Sequence, residues 1–125
     1  MSMPGLRTGI DLIEIDRFTS AYEQHGQRLL HRLFTPTELA ENGENMASLA
    51  ARFAAKEAVA KAFGTGIGVI TWQEIEIRRG SSGEPILQLF GAAQKMAEER
   101  KITGWSLSLS HTHNHAIAMV VAMIE

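Results

Sequence analysis

Asn45-Met46-Ala47-Ser48-Leu49-Ala50-Ala51-Arg52-Phe53-Ala54-Ala55-Lys56-Glu57-Ala58-Val59-Ala60-Lys61-Ala62-Phe63 is the longest helix signal in the chain, and the rest of the fold is read outward from it. It is rich in alanine, the best helix former. Met46, Leu49, Ala50, Phe53, Ala54 and Ala60 recur at helical spacing. Gly64-Thr65-Gly66-Ile67-Gly68 then stops it. Upstream, Thr35-Pro36-Thr37-Glu38 is a helix start, with Thr35 as N-cap, Pro36 in the first turn and Glu38 closing a capping box. That helix stops near Asn42-Gly43. Before it, Gly9 to Ile15 reads as a short β-branched strand. Asp16 is placed to cap a helix from Arg17 to about His25, which Gly26 ends, and Gln27 to Leu33 continues as helix or turn. Downstream, Trp72 to Arg78 reads as a strand, with Ile75 and Ile77 on one face and Glu74 and Glu76 on the other. Ser81-Ser82-Gly83 turns the chain into a strand from Pro85 to Leu89. Ala92 to Arg100 predicts a helix. Trp105 to Leu109 and Ala116 to Ile124 predict a hairpin around a polar loop, Ser110 to His115. This order implies an α+β fold, a largely antiparallel sheet packed against a long central helix.

The 125 residues are expected to form one domain, 1–125. A chain of this size buries about 65–70% of its unfolded surface and needs no disulfide or metal staple. It has no cysteine, which excludes cysteine nucleophiles, Cys-ligated zinc and iron–sulfur sites. Its 12 Lys+Arg against 14 Asp+Glu make nucleic acid a poor default partner. No apolar run approaches the ~20 residues that span a membrane. Met1-Ser2-Met3-Pro4-Gly5 is not a charged leader followed by an apolar core, so the expectation is a soluble, cytoplasmic protein.

Asp11 sits among Ile10, Leu12 and Ile13, where an ionised carboxylate needs a partner. It is read as either half of a structural ion pair or a ligand to a hard cation such as Mg²⁺. Glu57 falls on or beside the apolar stripe of the long helix, with Lys61 one turn on. The pair is either an ordinary surface Glu–Lys contact or part of a metal or phosphate site. The glycine run 64–68 lacks the GxxxxGK[ST] pattern and follows a helix, so a helix cap competes with a phosphate-binding loop. His111, His113 and His115 would share one face of a strand, but a turn among them breaks the alternation and argues against zinc. Arg17, with Arg28 and Arg32 beyond it, is either a solvated basic face or a docking patch for an acidic partner.

Together these residues resemble the 4′-phosphopantetheinyl transferase family, in its small holo-[acyl-carrier-protein] synthase form. Gly9-Ile10-Asp11 through Arg17-Phe18 is similar to that family's opening strand and arginine. Arg52-Phe53-Ala54-Ala55-Lys56-Glu57-Ala58 through Lys61-Ala62-Phe63-Gly64 resembles its R-[FW]-A-x-K-E-A-x-x-K-A-[FL]-G signature almost letter for letter. Phe34-Thr35-Pro36-Thr37-Glu38 and Ser106 to Thr112 resemble its middle and closing segments. The resemblance implies transfer of phosphopantetheine from coenzyme A to a serine of apo-acyl carrier protein, releasing adenosine 3′,5′-bisphosphate, in support of fatty acid biosynthesis. It implies Asp11 and Glu57 as Mg²⁺ ligands, with Glu57 or a water at the metal activating the serine. It implies Lys61 on the pyrophosphate; Arg52, Gly64 and His111 along the coenzyme A site; and Arg17 against the acidic carrier. It also implies a homotrimer with sites at subunit interfaces. One departure is His113-Asn114-His115, and neither histidine is assigned a role. A silent coenzyme A-binding domain and a histidine-based zinc protein are the rival readings. The first would not need the Asp11–Glu57 pair.

Overall fold

A computed structural model describes residues 5–125; the stretch Met1–Pro4, on which the reading of the leader rests, lies outside the described residues. Among the described residues the order is β1 (Gly5–Glu14), α1 (Ile15–His25), α2 (Gln27–Leu33), α3 (Pro36–Asn42), α4 (Met46–Phe63), a 3-10 turn (Trp72–Glu74), β2 (Ile75–Arg79), β3 (Pro85–Leu89), α5 (Gly91–Glu99), β4 (Ile102–His111) and β5 (His115–Ile124). The alanine-rich helix is α4. The Asn45 side chain accepts from the Ser48 amide at 3.1 Å to start it. The helix is buried on nearly all sides, the pattern of a helix at the centre of a fold.

The fold is α+β, with all strand pairings antiparallel. β5 runs between β1 and β4 in a three-stranded sheet, and β2 and β3 form a separate two-stranded sheet. The expected antiparallel strands are thus divided between two sheets. Ala116, Ala118, Val120 and Ala122 on β5 are buried towards α4, and these small side chains let the helix lie close. The other face of the sheet carries Leu6, Ile10, Leu12, Met119 and Met123, all exposed. Register puts Leu6 opposite Met123 and Ile10 opposite Met119, so these side chains form one continuous apolar surface.

Gly9 is the closest approach of β1 to α4. A Cβ there would sit 1.9 Å from the Ala58 carbonyl oxygen, a backbone atom that cannot swing aside. Gly9→Ala is expected to push the helix off the strand and cost about 3 kcal/mol, the upper part of the overpacking range. A urea titration checks this; a loss under about 0.5 kcal/mol would mean that the two elements are not pressed together.

Other elements differ in detail from the sequence reading. β1 begins at Gly5 and ends at Glu14, and Glu14, not Asp16, precedes the first turn of α1. Asp16 lies within that turn, and the Glu14 side chain makes no cap bond. The strand expected over 72–78 begins as a 3-10 turn, because the Glu74 carboxylate folds back onto the Thr71 amide at 2.8 Å. The closing hairpin is longer than expected and its turn tighter, since Thr112 N donates to His115 O at 2.8 Å. The turn separates His111 from His115, and among the described residues no three His, Asp or Glu side chains gather into a metal cage. Among the same residues no helix is long and apolar enough to cross a membrane.

A charged network lies inside the core. Lys56 is fully buried and spends its donors on Glu38 Oε1 at 2.7 Å, Trp72 O at 2.8 Å and Ile75 O at 2.6 Å. Glu38 also accepts from the Thr35 amide at 2.9 Å and from the Ile77 amide at 2.7 Å. Thr35 Oγ1 donates to Glu76 at 2.6 Å, and Arg78 donates to the same carboxylate. The capping box of α3 is therefore also the anchor that ties α3, α4 and β2 together. Burial pushes the Lys56 ammonium below its ordinary range, while Glu38 beside it pulls upward.

Candidate active site

Asp11 and the helix residues Glu57 and Lys61 meet where β1 crosses α4. Strand alternation sends Leu6, Ile10 and Leu12 outward, and so turns Asp11 inward beside the helix. Lys61 Nζ donates to Asp11 Oδ1 at 2.8 Å and to the Ile10 carbonyl at 3.0 Å. Glu57 lies one turn before Lys61 and is half-buried. Its Oε1 accepts from the Trp72 indole Nε1 at 3.3 Å. Burial pushes the Glu57 carboxyl up; the Asp11 charge adds to this, while the Trp72 hydrogen bond and Lys61 oppose it. Two carboxylates from separate elements thus share one spot, and one makes the other harder to ionise. That donor set fits a small hard cation, which accepts one or two carboxylates and removes their repulsion.

The C-terminal end of α4 lies next to this spot. Gly64 takes a left-handed conformation (φ 82°), and its amide donates to the Ala60 and Lys61 carbonyls. The glycine run is thus a helix cap, as one of its two readings held. Arg7 of β1 covers the same end, donating from Nε to the Ala62 carbonyl at 2.6 Å. Gly64 and its loop stay exposed beside Lys61.

His111 is exposed at the end of β4. By register Leu109 and Asp11 both pair with Ala118, so His111 stands two residues further toward the turn on the same sheet. Arg52 is brought to a different face of α4. It is buried, its Nη1 donates to Ser48 Oγ at 3.2 Å, and its Nε has no hydrogen-bond partner among the described residues. Burial lowers its pKa, and the nearby Arg79 charge does so further. Within one chain, then, Asp11, Glu57 and Lys61 converge, and Arg52 stands apart from them.

Arg17 lies on exposed α1, at the rim of a groove of about 510 Å³ lined also by Leu12, Ile13, Phe18, Phe53 and Trp72. Arg28 and Arg32 extend the basic surface along α2. The Arg32 guanidinium stands 5.6 Å from the Trp72 ring centroid. Reading the sequence missed Lys56, Glu38 and Trp72. One signal was available for the first two: a lysine flanked by alanines on a helix apolar on nearly all sides is a candidate for burial, and a buried lysine needs an acid.

Two carboxylates and a lysine thus meet at a strand–helix crossing of an α+β fold, a set able to hold a small hard cation. The chain belongs to the 4′-phosphopantetheinyl transferase superfamily, whose family model matches residues 7–120. Its similarity is to the holo-[acyl-carrier-protein] synthases. One from Herpetosiphon aurantiacus is 48% identical over 94% of this chain and 98% of its own length. The crystal structure of the synthase from Neisseria meningitidis matches with a TM-score of 0.86 at 38% identity, over 93% of this chain and 96% of that one. The synthase from Helicobacter pylori, solved in complex with coenzyme A, matches with a TM-score of 0.85 at 30% identity, over 92% of this chain and 98% of that one. The chain is therefore an enzyme, a phosphopantetheinyl transferase, of the kind named for the acyl carrier protein it loads.

Proposed function

We propose that the chain moves 4′-phosphopantetheine from coenzyme A to a serine of apo-acyl carrier protein with Mg²⁺ as cofactor, and that Asp11, Glu57 and Lys61 carry the reaction. The supporting observation is the convergence of these three side chains from β1 and α4. Asp11 and Glu57 would hold the cation. When bound, Mg²⁺ neutralises charge on the phosphoryl oxygens. The serine oxygen bonds to the β-phosphorus of the pyrophosphate, and the bond to the departing adenosine 3′,5′-bisphosphate breaks. Glu57 takes the serine proton at a carboxylate oxygen. Lys61, half-exposed, can turn from Asp11 to the pyrophosphate and steady the leaving group.

Gly64 and His111 would border the coenzyme A. Arg52, with one guanidinium nitrogen unpartnered among the described residues, would reach it across a subunit boundary. The exposed apolar face of the β1-β5-β4 sheet supports that boundary, since a second and third copy in a homotrimer would cover it. The whole of 1–125 would act as one domain, in the cytoplasm, serving fatty acid biosynthesis without nucleic acid or membrane.

Intact mass spectrometry of apo-carrier protein after incubation with coenzyme A and Mg²⁺ tests the reading. A gain of one phosphopantetheine, lost with EDTA, is the expected result. No gain while coenzyme A still binds would favour a silent binding domain. Arg17 would face the acidic carrier. Arg17→Glu is expected to raise the carrier KM by about tenfold or more and leave the coenzyme A KM unchanged, because it sets like charges together. Steady-state kinetics against each substrate decides this; an unchanged carrier KM removes Arg17 from the docking surface.

A further inference from the structure

We infer that Trp72 is a positioning residue, whose indole N–H orients the Glu57 carboxylate for the cation; this rests on the proposed metal site. The indole Nε1 donates to Glu57 Oε1 at 3.3 Å and leaves Oε2 unengaged by it. A carboxylate with one oxygen tied is fixed in rotation about its last bond and presents the other oxygen in one direction. Outer hydrogen bonds of this kind orient metal ligands, and removing one costs about 10- to 100-fold in metal affinity.

The indole is itself held from three directions. Its ring packs on Phe53 with centroids 6.2 Å apart, and Phe53 packs on Phe18 at 5.9 Å. Arg32 covers the ring at 5.6 Å. Its own backbone carbonyl accepts from the buried Lys56 ammonium at 2.8 Å. Lys56 is the chain neighbour of Glu57. One short segment of α4 therefore supplies both the carboxylate and the clamp on the residue that aims it. A tryptophan serving only to fill the core would not need its nitrogen beside the acid; Phe53 fills the same cluster without a polar atom.

Mn²⁺ binding followed by electron paramagnetic resonance, on the full chain with the metal alone, tests the inference. Wild type is expected to bind, Asp11→Ala to lose binding, and Trp72→Phe to bind about tenfold more weakly. In Mg²⁺ titrations of activity, Trp72→Phe should need about tenfold more metal for half-maximal rate, with the coenzyme A KM unchanged and kcat largely recovered at saturating metal. A purely structural loss would lower kcat at every metal concentration. In ¹⁵N–¹H spectra of the wild-type fold, Glu57→Gln should move the Trp72 indole resonance and leave that of Trp105 in place. Wild-type affinity in Trp72→Phe, with Asp11→Ala inactive in binding, overturns the role of Trp72 and leaves the metal site standing. Equal binding in wild type and Asp11→Ala overturns both. An unmoved Trp72 resonance overturns the hydrogen bond on which the inference stands.

Discussion

Glu57→Gln is expected to lower transfer activity by about a thousandfold and at the same time raise the melting temperature of the metal-free protein by a few degrees. The first effect follows from loss of a charged cation ligand and a base, worth several kcal/mol of barrier. The second follows from burial. Glu57 is harder to ionise in the folded chain than in the unfolded one, chiefly because it is desolvated and secondarily because Asp11 is near. Above its raised pKa the carboxylate is charged in both states, and the folded state alone bears the penalty. As pH falls through that value the folded state takes up its proton first, and the penalty fades toward the ordinary carboxylate range. The gap in melting temperature between variant and wild type should therefore be widest at neutral pH and shrink under mild acid. Calorimetry with EDTA over a pH series, and transfer rates with Mg²⁺, check the two effects. A variant that is both less active and less stable at neutral pH would mean that Glu57 contributes packing and no stored electrostatic cost. Asp11→Ala should match the loss of activity with a small change in stability, since its partner Lys61 is half-exposed and such pairs contribute about 0–1 kcal/mol.

Lys56→Met should cost about 3–5 kcal/mol, although the substitute is apolar and the site is core. Removing the ammonium leaves the Glu38 carboxylate fully buried without its counter-charge, and frees the carbonyls of Trp72 and Ile75. Lys61→Met, five residues on, should shift stability by less than about 1 kcal/mol. The contrast isolates burial as the cause, since residue type and helix are shared. Adding Glu38→Gln to Lys56→Met should recover part of the loss, because the stranded charge is gone. Urea titrations of the four proteins supply the comparison; a Lys56→Met cost near that of Lys61→Met would show that Glu38 finds another partner.

Local signals carried most of the fold. Thr35-Pro36-Thr37-Glu38 encodes its own helix start, and the capping box forms as read. Gly64 ends α4 where its spacing placed it. What those signals could not encode was pairing at a distance. Nothing local distinguishes one mixed sheet from two, because that depends on β3 choosing β2 over β4. Nor did the Glu74–Glu76 alternation reveal that Glu76 is buried; its partners, Thr35 and Arg78, include one that lies 41 residues away. At the site, the sequence singled out Asp11 as an acid among apolar neighbours and put Lys61 one turn beyond Glu57 on α4. That β1 crosses α4 at Gly9, and so brings them together, is a tertiary fact. Trp72 was invisible for the same reason, since its indole meets Glu57 only after the 3-10 turn folds back.

The exposed apolar face of the three-stranded sheet would, in the proposed homotrimer, bear on every stability measured on this protein. If copies of the chain close over Leu6, Ile10, Leu12, Met119 and Met123, folding and association become a single equilibrium. Melting temperature then climbs with protein concentration, and a substitution on that face registers most strongly in the most dilute sample. A dilution series is thus the proper axis along which to compare variants, with the free energy of each referred to one common molarity.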